Sequence, residues 1–148
     1  MSVSYPDDFI KKILQETQLI ALVGASEKPS RDAFHVMAYL QEQGYRVIPV
    51  NPGLAGKQIH GETVYARLGD IPQGETGVID MVDVFRNSEA ALGVAEEAIA
   101  IGAKTVWMQL GVVNETAAAK ARAAGLQVVM NRCPAIEIPR LGLPPHKG

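Results

Sequence analysis

The feature of this sequence that most restricts its fold is an alternation of short apolar runs with longer segments of helical periodicity. The apolar runs predict buried strands at "LIALVG" (19–24), "YRVIPV" (45–50), "GVIDMVDVF" (77–85), "KTVWMQL" (104–110) and "LQVVMN" (126–131). Helical spacing predicts helices after Pro6 and at 32–43, 88–101 and 114–125. Because parallel strands need crossover connections, helices should cover both sheet faces. We expect an α/β fold with a doubly wound, mostly parallel sheet of about five strands.

The composition indicates one globular domain over residues 1–148, with 47% hydrophobic residues and a formal net charge of −2. The basic residues are scattered, which argues against nucleic-acid binding. No apolar run approaches the ~20 residues of a membrane span, and the first residues do not resemble a signal peptide. Cys133 is the only cysteine. We therefore expect a cytoplasmic protein without a nucleic-acid or membrane partner.

The turn after the first predicted strand is a candidate anion site. In doubly wound sheets, ligands bind beyond the carboxyl ends of the strands. Here Gly24, Ala25 and Ser26 lead into a predicted helix, whose first backbone N–H groups have no partner within the helix. Lys28 and Arg31 add positive charge. The segment predicts a phosphate site.

A dinucleotide fingerprint would need three glycines at this turn, but only Gly24 is present. The second predicted strand ends in Asn51 and Pro52, where NAD-binding proteins commonly carry an acidic residue. A neutral side chain favours a nucleotide with an additional phosphate, since a carboxylate would repel it. A domain of the NAD(P)-binding oxidoreductase type remains the alternative.

Two further strand ends carry groups suited to the same ligand. The residues are Val84, Phe85 and Arg86 after the third strand and Gln109, Leu110 and Gly111 after the fourth. An aromatic ring such as Phe85 can form a wall for a base, and Arg86 can bind phosphate through two hydrogen bonds. Gln109 offers an amide, and Gly111 permits close approach of the backbone. The four strand ends together predict one site.

The linked series "LVGAS", "VIPVNP", "IDMVDVFR", "VWMQLGV" and "NRCP" resembles the small stand-alone coenzyme A-binding proteins. Their domain is similar to the N-terminal domain of succinyl-CoA synthetase alpha chains and of nucleoside-diphosphate-forming acyl-CoA synthetases. The resemblance covers residues 14–137 and implies a Rossmann-like domain that binds coenzyme A or acyl-CoA. It implies a binding site made of Gly24, Ala25, Ser26, Lys28, Arg31, Asn51, Pro52, Val84, Phe85, Arg86, Gln109, Leu110 and Gly111.

The chain departs from the synthetases in two respects. Leu54 stands where they often carry a lysine after Pro-Gly, and Lys57 follows three residues later. The synthetases' catalytic histidine lies in a later domain that has no counterpart here. The resemblance thus implies ligand binding without a complete catalytic apparatus, and we assign no catalytic residue. An acyl-CoA-dependent enzyme that borrows a catalytic group from a partner enzyme is a further alternative.

Several residues lie outside this predicted site. The three histidines are far apart in sequence and match no zinc-ligand spacing, so we predict no metal. Cys133 precedes Pro134, which favours a structural thiol over one that forms a mixed disulfide with the coenzyme. Asp83 is placed to orient Arg86. The apolar segment "IEIPRLGLPP" either completes the core or packs on another subunit in a homo-oligomer.

Overall fold

Strands and helices alternate along residues 4–146, which are the residues that the computed structural model describes. The strands are β1 (Leu19–Val23), β2 (Arg46–Val50), β3 (Gln58–Ile59), β4 (Glu62–Thr63), β5 (Met81–Val84), β6 (Thr105–Met108) and β7 (Gln127–Val129). The helices are α1 (Asp7–Glu16), α2 (Asp32–Glu42), α3 (Gln73–Thr76), α4 (Ala91–Ala100), α5 (Glu115–Ala123) and α6 (Pro134–Arg140). Residues 1–3 and 147–148 of the predicted domain lie outside the described range.

Five strands form one parallel sheet in the order β2-β1-β5-β6-β7. The chain passes from β1 to β2 at one side and then crosses to β5 on the other side of β1. The strand order therefore reverses between β1 and β5, and this reversal opens a crevice at their carboxyl ends. The doubly wound sheet predicted from the alternation and the Rossmann-like domain implied by the resemblance are both confirmed.

Each sheet face packs against its own set of helices. On one face, Ile20, Leu22 and Trp107 pack in a core cluster with residues of α1, α2 and α6. On the other face, Ala21 and Val82 pack with the alanine-rich sides of α4 and α5. The sheet is thus buried on both faces, as expected for uninterrupted apolar strands.

The third strand of the sheet is shorter than the apolar pattern predicts. The run at 77–85 suggested a strand throughout, but β5 begins only at Met81. Just before it, the Asp80 carboxylate accepts hydrogen bonds from the backbone N–H groups of Gln18 and Leu19, each at 3.0 Å. The Asp80 carboxylate thus accepts hydrogen bonds at the start of β1 that the backbone of a neighbouring strand would otherwise accept.

The C-terminal segment completes the core of its own chain. Ile138 on α6 is buried, and Leu141 and Leu143 pack against the same core cluster. The segment then returns to the turn after α2, where the His146 N–H donates to the Gln43 carbonyl oxygen at 2.7 Å. Of the two interpretations of "IEIPRLGLPP", the structure favours the one in which it finishes the core.

Two features are absent from the part of the chain that the structure describes. No helix there is both long enough and apolar enough to cross a membrane. No three His, Cys, Asp or Glu side chains are grouped in a way that could hold a metal ion. The His60 ring instead lies 2.8 Å from the Phe34 carbonyl oxygen and packs against the Phe34 ring.

Candidate functional site

A cavity of about 610 Å³ lies at the reversal of strand order, between the turn after β1, the start of α2 and the end of β2. Phe85, directly after β5, forms its far wall. The lining residues are Gly24, Ala25, Ser26, Glu27, Lys28, Ser30, Arg31, Asp32, Ala33, Asn51, Gly53, Leu54 and Phe85. We call this space the first cavity. The crevice expected from the topology is therefore open in the folded protein.

Gly24 allows the turn after β1 to pass close to the end of β5. Its φ of +94° lies in the region that disfavours residues with a Cβ atom. A Cβ atom at this position would overlap the Phe85 carbonyl oxygen and would lie 2.8 Å from the Phe85 carbonyl carbon. The Gly24 and Ala25 N–H groups both donate to the Val50 carbonyl oxygen, at 2.9 and 3.2 Å. These contacts fix one side of the first cavity.

The start of α2 brings positive groups to the same cavity, whose wall also carries the carboxylates of Glu27 and Asp32. Arg31 occupies the N-cap position, and its side chain makes no capping hydrogen bond. The first N–H groups of the helix thus point toward the cavity with the positive end of the helix dipole. Within residues 4–146, neither Lys28 nor Arg31 has an ion-pair partner. This arrangement suits an anion such as phosphate.

Asn51 holds the end of β2 against the turn after β1. Its Nδ2 donates to the Ala25 carbonyl oxygen at 2.8 Å, and its Oδ1 accepts from the Gly53 N–H at 2.8 Å. One Nδ2 hydrogen and one Oδ1 lone pair remain for another partner. Asn51 therefore shapes the first cavity as well as lining it.

A second cavity, of about 480 Å³, borders the first at Asp32 and Phe85. It lies between α2, the loop after β6 and the start of α6. The lining residues are Asp32, His35, Val36, Phe85, Arg86, Gln109, Leu110, Val112, Cys133, Ala135 and Ile136. Leu110 and Ile136 are large apolar side chains with half or more of their surface exposed. The second cavity is thus more apolar than the first.

A buried carboxylate lies beneath the second cavity. Asp83 is fully buried, and its Oδ1 accepts a hydrogen bond from Nε2 of Gln109 at 2.9 Å. Its Oδ2 has no hydrogen-bond partner among residues 4–146. Desolvation raises the pKa of Asp83 to about 7, although the hydrogen bond from Gln109 opposes the shift. Near neutral pH, Asp83 is therefore divided between its protonated and ionised forms.

The expected orientation of Arg86 by Asp83 is wrong. Asp83 points into the core cluster that contains Trp107, whereas Arg86 is exposed. Arg86 lies two residues beyond the end of β5, and Asp83 lies within the strand. Among the described residues, Arg86 has no ion-pair partner. Its charge is available to a ligand.

The sequence of residues 18–139 matches the model of a protein family described as the CoA binding domain. The chain belongs to this family. The match includes every strand of the parallel sheet and all the residues that line the first two cavities. The resemblance drawn from the strand-end motifs is confirmed.

Relatives of this CoA-binding domain share most of its length. The uncharacterised protein YneT of Bacillus subtilis (strain 168) is 40% identical over 124 residues, which cover 84% of this chain and 87% of that protein. A hypothetical protein from Pyrococcus horikoshii OT3 is 42% identical, with a TM-score of 0.85 over 95% of this chain and 99% of that one. The whole fold is thus found in proteins of similar size.

A larger protein contains the same fold as one of its parts. The apo form of a dinucleotide-forming acetyl-coenzyme A synthetase 1 from Ca. Korarchaeum cryptofilum superposes with a TM-score of 0.65 at 23% identity. The match covers 79% of this chain and 26% of the synthetase. At this identity the likeness concerns the fold of the CoA-binding domain alone.

Most of the predicted site residues of the CoA-binding domain line the first or the second cavity, which share Asp32 and Phe85 in their walls. Gly24, Ala25, Ser26, Lys28, Arg31, Asn51 and Phe85 line the first cavity, and Phe85, Arg86, Gln109 and Leu110 line the second. Pro52 lines a smaller cavity of about 310 Å³ between Asn51 and Arg86. Val84 is buried in the core cluster on the face of the sheet that α4 and α5 cover. Gly111 lies in the loop after β6 and lines none of these cavities.

Several lining residues were not predicted. Val36 comes from α2, and Cys133, Ala135 and Ile136 come from the start of α6. Rules that follow strand ends do not reach residues on helices, so no sequence pattern indicated Val36 or Ile136. Leu54 also lines the first cavity, whereas Lys57 lies 3.5 Å from Glu27 in an ion pair. Cys133 itself lies in the motif "NRCP", one of the motifs on which the family resemblance rests.

Proposed function

We propose that the protein binds coenzyme A or acyl-CoA at the carboxyl ends of its parallel strands, with the nucleotide in the first cavity. The observation that carries this proposal is the uncapped start of α2 together with Lys28 and Arg31, whose charges have no ion-pair partner within residues 4–146. Coenzyme A carries a diphosphate and a further phosphate on its ribose. Backbone N–H groups, ammonium and guanidinium groups are the usual partners of phosphate.

The neutral end of β2 supports a phosphorylated ribose. Asn51 lines both the first cavity and the smaller cavity that contains Arg86. A carboxylate here would repel the ribose phosphate, whereas the amide keeps hydrogen-bonding capacity and Arg86 supplies positive charge. The nearby Glu27 carboxylate lies 3.5 Å from Lys57 Nζ, which offsets its charge. These groups favour coenzyme A over NAD.

The second cavity suits the pantetheine arm. It adjoins the first cavity at Phe85, and Val36, Leu110 and Ile136 provide apolar contacts for a flexible chain. The buried Gln109 lines the same space and can present its Oε1 to an amide of the arm, because its Nε2 is engaged with Asp83. The arm would thus lie across the ends of β5 and β6.

We propose binding without the chemistry of a synthetase. The protein's role would then be that of a coenzyme A carrier or sensor, or of a partner that delivers the coenzyme to an enzyme.

Isothermal titration with coenzyme A tests this proposal in matched arginine variants. We expect Arg31→Ala and Arg86→Ala each to weaken binding by about tenfold or more, since a lost hydrogen bond to a charged group costs ~1.5–3 kcal/mol. Arg122→Ala is the control, because Arg122 is exposed on α5 and lines neither cavity. Equal affinities in all three variants would contradict the proposed site.

A further inference from the structure

Cys133 is the one thiol of the chain, and it lines the second cavity beside Gln109 and Ala135. Only 6% of its surface is exposed, and the residue forms part of the wall of the second cavity. On the proposed function, that group is the end of the pantetheine arm, which is itself a thiol. The coenzyme's sulfur and the protein's sulfur would share one confined space.

A second observation distinguishes this thiol from an inert core cysteine. Asp83 is fully buried, and its Oδ2 has no hydrogen-bond partner among residues 4–146. Buried polar atoms in proteins nearly always have a partner, so an orphaned oxygen suggests a function for that atom. Asp83 lies close enough to Cys133 for its charge to act on the thiol, and Gln109 contacts both residues. The carboxylate, the amide and the thiol form one cluster under the second cavity.

We propose that Cys133 is a covalent attachment point for oxidised coenzyme A. The co-reactant is a disulfide that contains coenzyme A, such as the symmetrical coenzyme A disulfide. This inference rests on the proposed function, because the nucleotide must bring the disulfide into the second cavity.

The exchange balances in atoms and electrons. Sγ of Cys133 attacks the nearer sulfur of the bound disulfide, and its proton goes to the Asp83 carboxylate. For this transfer the thiol must come closer to Oδ2 than in this structure, where Oδ2 makes no hydrogen bond. A new S–S bond joins Cys133 to one coenzyme A, and the old S–S bond breaks. The second coenzyme A leaves as a thiolate and takes a proton from water. Cys133 is oxidised, and the departing coenzyme A is reduced.

The environment of Cys133 makes such a proton acceptor necessary. Burial raises the pKa of the Cys133 thiol, and the charge of Asp83 adds to this shift. Hydrogen bonds from the backbone of Ala135 and Ile136 and from Gln109 act in the opposite direction. The free thiolate is therefore scarce at neutral pH, and a neighbouring base whose pKa is near 7 favours reaction. Disulfides that do not enter the cavity should react slowly.

The test is intact-mass spectrometry of the reduced full chain during incubation with coenzyme A disulfide. We expect one coenzyme A adduct, removed by dithiothreitol and absent from a folded Cys133→Ser variant. Pantethine, the disulfide of the arm without the nucleotide, is the matched reagent. Pantethine should react at least about tenfold more slowly than coenzyme A disulfide, because nucleotide binding raises the effective concentration of the disulfide at the thiol. Adenosine 3′,5′-bisphosphate should slow only the reaction with coenzyme A disulfide.

The Asp83→Asn variant tests the proton acceptor. It should form the adduct more slowly with coenzyme A disulfide when the reagent is at a concentration that saturates the nucleotide site. An unchanged rate would overturn the role of Asp83 as acceptor.

Equal rates with pantethine and coenzyme A disulfide, or no adduct with either, would overturn the inference. Calorimetry with reduced coenzyme A separates this result from failure of the proposed function. If reduced coenzyme A binds but no adduct forms, only the covalent attachment is wrong. If reduced coenzyme A does not bind, the proposed function is wrong as well.

Discussion

Gly24 carries both a conformational and a steric constraint, because its φ is +94° and its α-carbon lies against the Phe85 backbone. We expect Gly24→Ala to lower the free energy of unfolding by roughly 2–4 kcal/mol, since overpacking adds to the strain of a positive φ. It should also weaken coenzyme A binding by displacing the wall of the first cavity. Urea denaturation and isothermal titration measure the two effects.

Gly125→Ala separates the two causes. Gly125 has a φ of +91°, but a Cβ atom there would meet nothing within 4 Å. This variant should cost only about 1–2 kcal/mol, the strain of a positive φ, and should bind coenzyme A normally. Similar losses of stability in both variants would show that the contact with Phe85 is unimportant.

Asp83 makes stability depend on pH. Burial raises its pKa from 3.8 to about 7, so the folded protein holds a proton that the unfolded chain has lost between about pH 4 and pH 7. The stability that Asp83 contributes in its neutral form is therefore present at the acid end and is lost as the pH rises toward 7. We expect Asp83→Asn to be more stable than the wild type at pH 8, by roughly 2–4 kcal/mol.

Denaturation at pH 5 and pH 8 measures this difference. At pH 5 the advantage of Asp83→Asn should be smaller than at pH 8, because Asp83 is then mostly protonated in the folded protein. An advantage that is the same at both pH values would mean that Asp83 is ionised in the folded state throughout.

Among the elements, Asn51 connects the end of β2 to the turn after β1 through two hydrogen bonds. Asn51→Ala leaves the Ala25 carbonyl oxygen and the Gly53 N–H without this partner, and should cost about 1–3 kcal/mol of stability. We also expect it to weaken coenzyme A binding, because both lost contacts border the first cavity. Thermal denaturation and isothermal titration provide the measurements.

Asn114 offers a control with the same number of hydrogen bonds. It caps α5 through the Ala117 N–H and donates to the Ser88 carbonyl oxygen, and it lines neither cavity. Asn114→Ala should lose comparable stability but keep its affinity for coenzyme A. Weaker binding in both variants would attribute the effect of Asn51→Ala to general destabilisation.

The strands of the sheet were predictable because they are continuous apolar runs, and the four long helices because each repeats its apolar residues at helical spacing. The hairpin of β3 and β4 was not, since two residues per strand are too few to establish alternation. Helix α6 was missed because Pro134 and Pro139 suggest a break, although Pro134 occupies a position in the first turn that tolerates proline. Ala135 and Ile136, two of the unpredicted residues that line the second cavity, lie on this helix.

At the scale of the whole molecule, the topology opens the first cavity, and the side chains that line it are the contacts of the proposed ligand. The rule that ligands bind beyond the carboxyl ends of the strands predicted a site at the turn after β1, and the strand order reverses there, between β1 and β5. The cluster of Asp83, Gln109 and Cys133 could not be predicted in the same way. These residues are far apart in sequence, and only the packing of α6 on the sheet brings Cys133 to Gln109.

The central claim is that the connected cavities hold a coenzyme with a phosphorylated ribose. The most direct test is to compare coenzyme A, dephospho-coenzyme A and NAD by isothermal titration, with the shift in Tm as a second readout. We expect coenzyme A to bind most tightly, dephospho-coenzyme A about tenfold more weakly and NAD least, because each lost contact with a phosphate costs ~1.5–3 kcal/mol. Equal affinity for the first two ligands would contradict the role of the ribose phosphate, and binding of NAD alone would contradict the account as a whole.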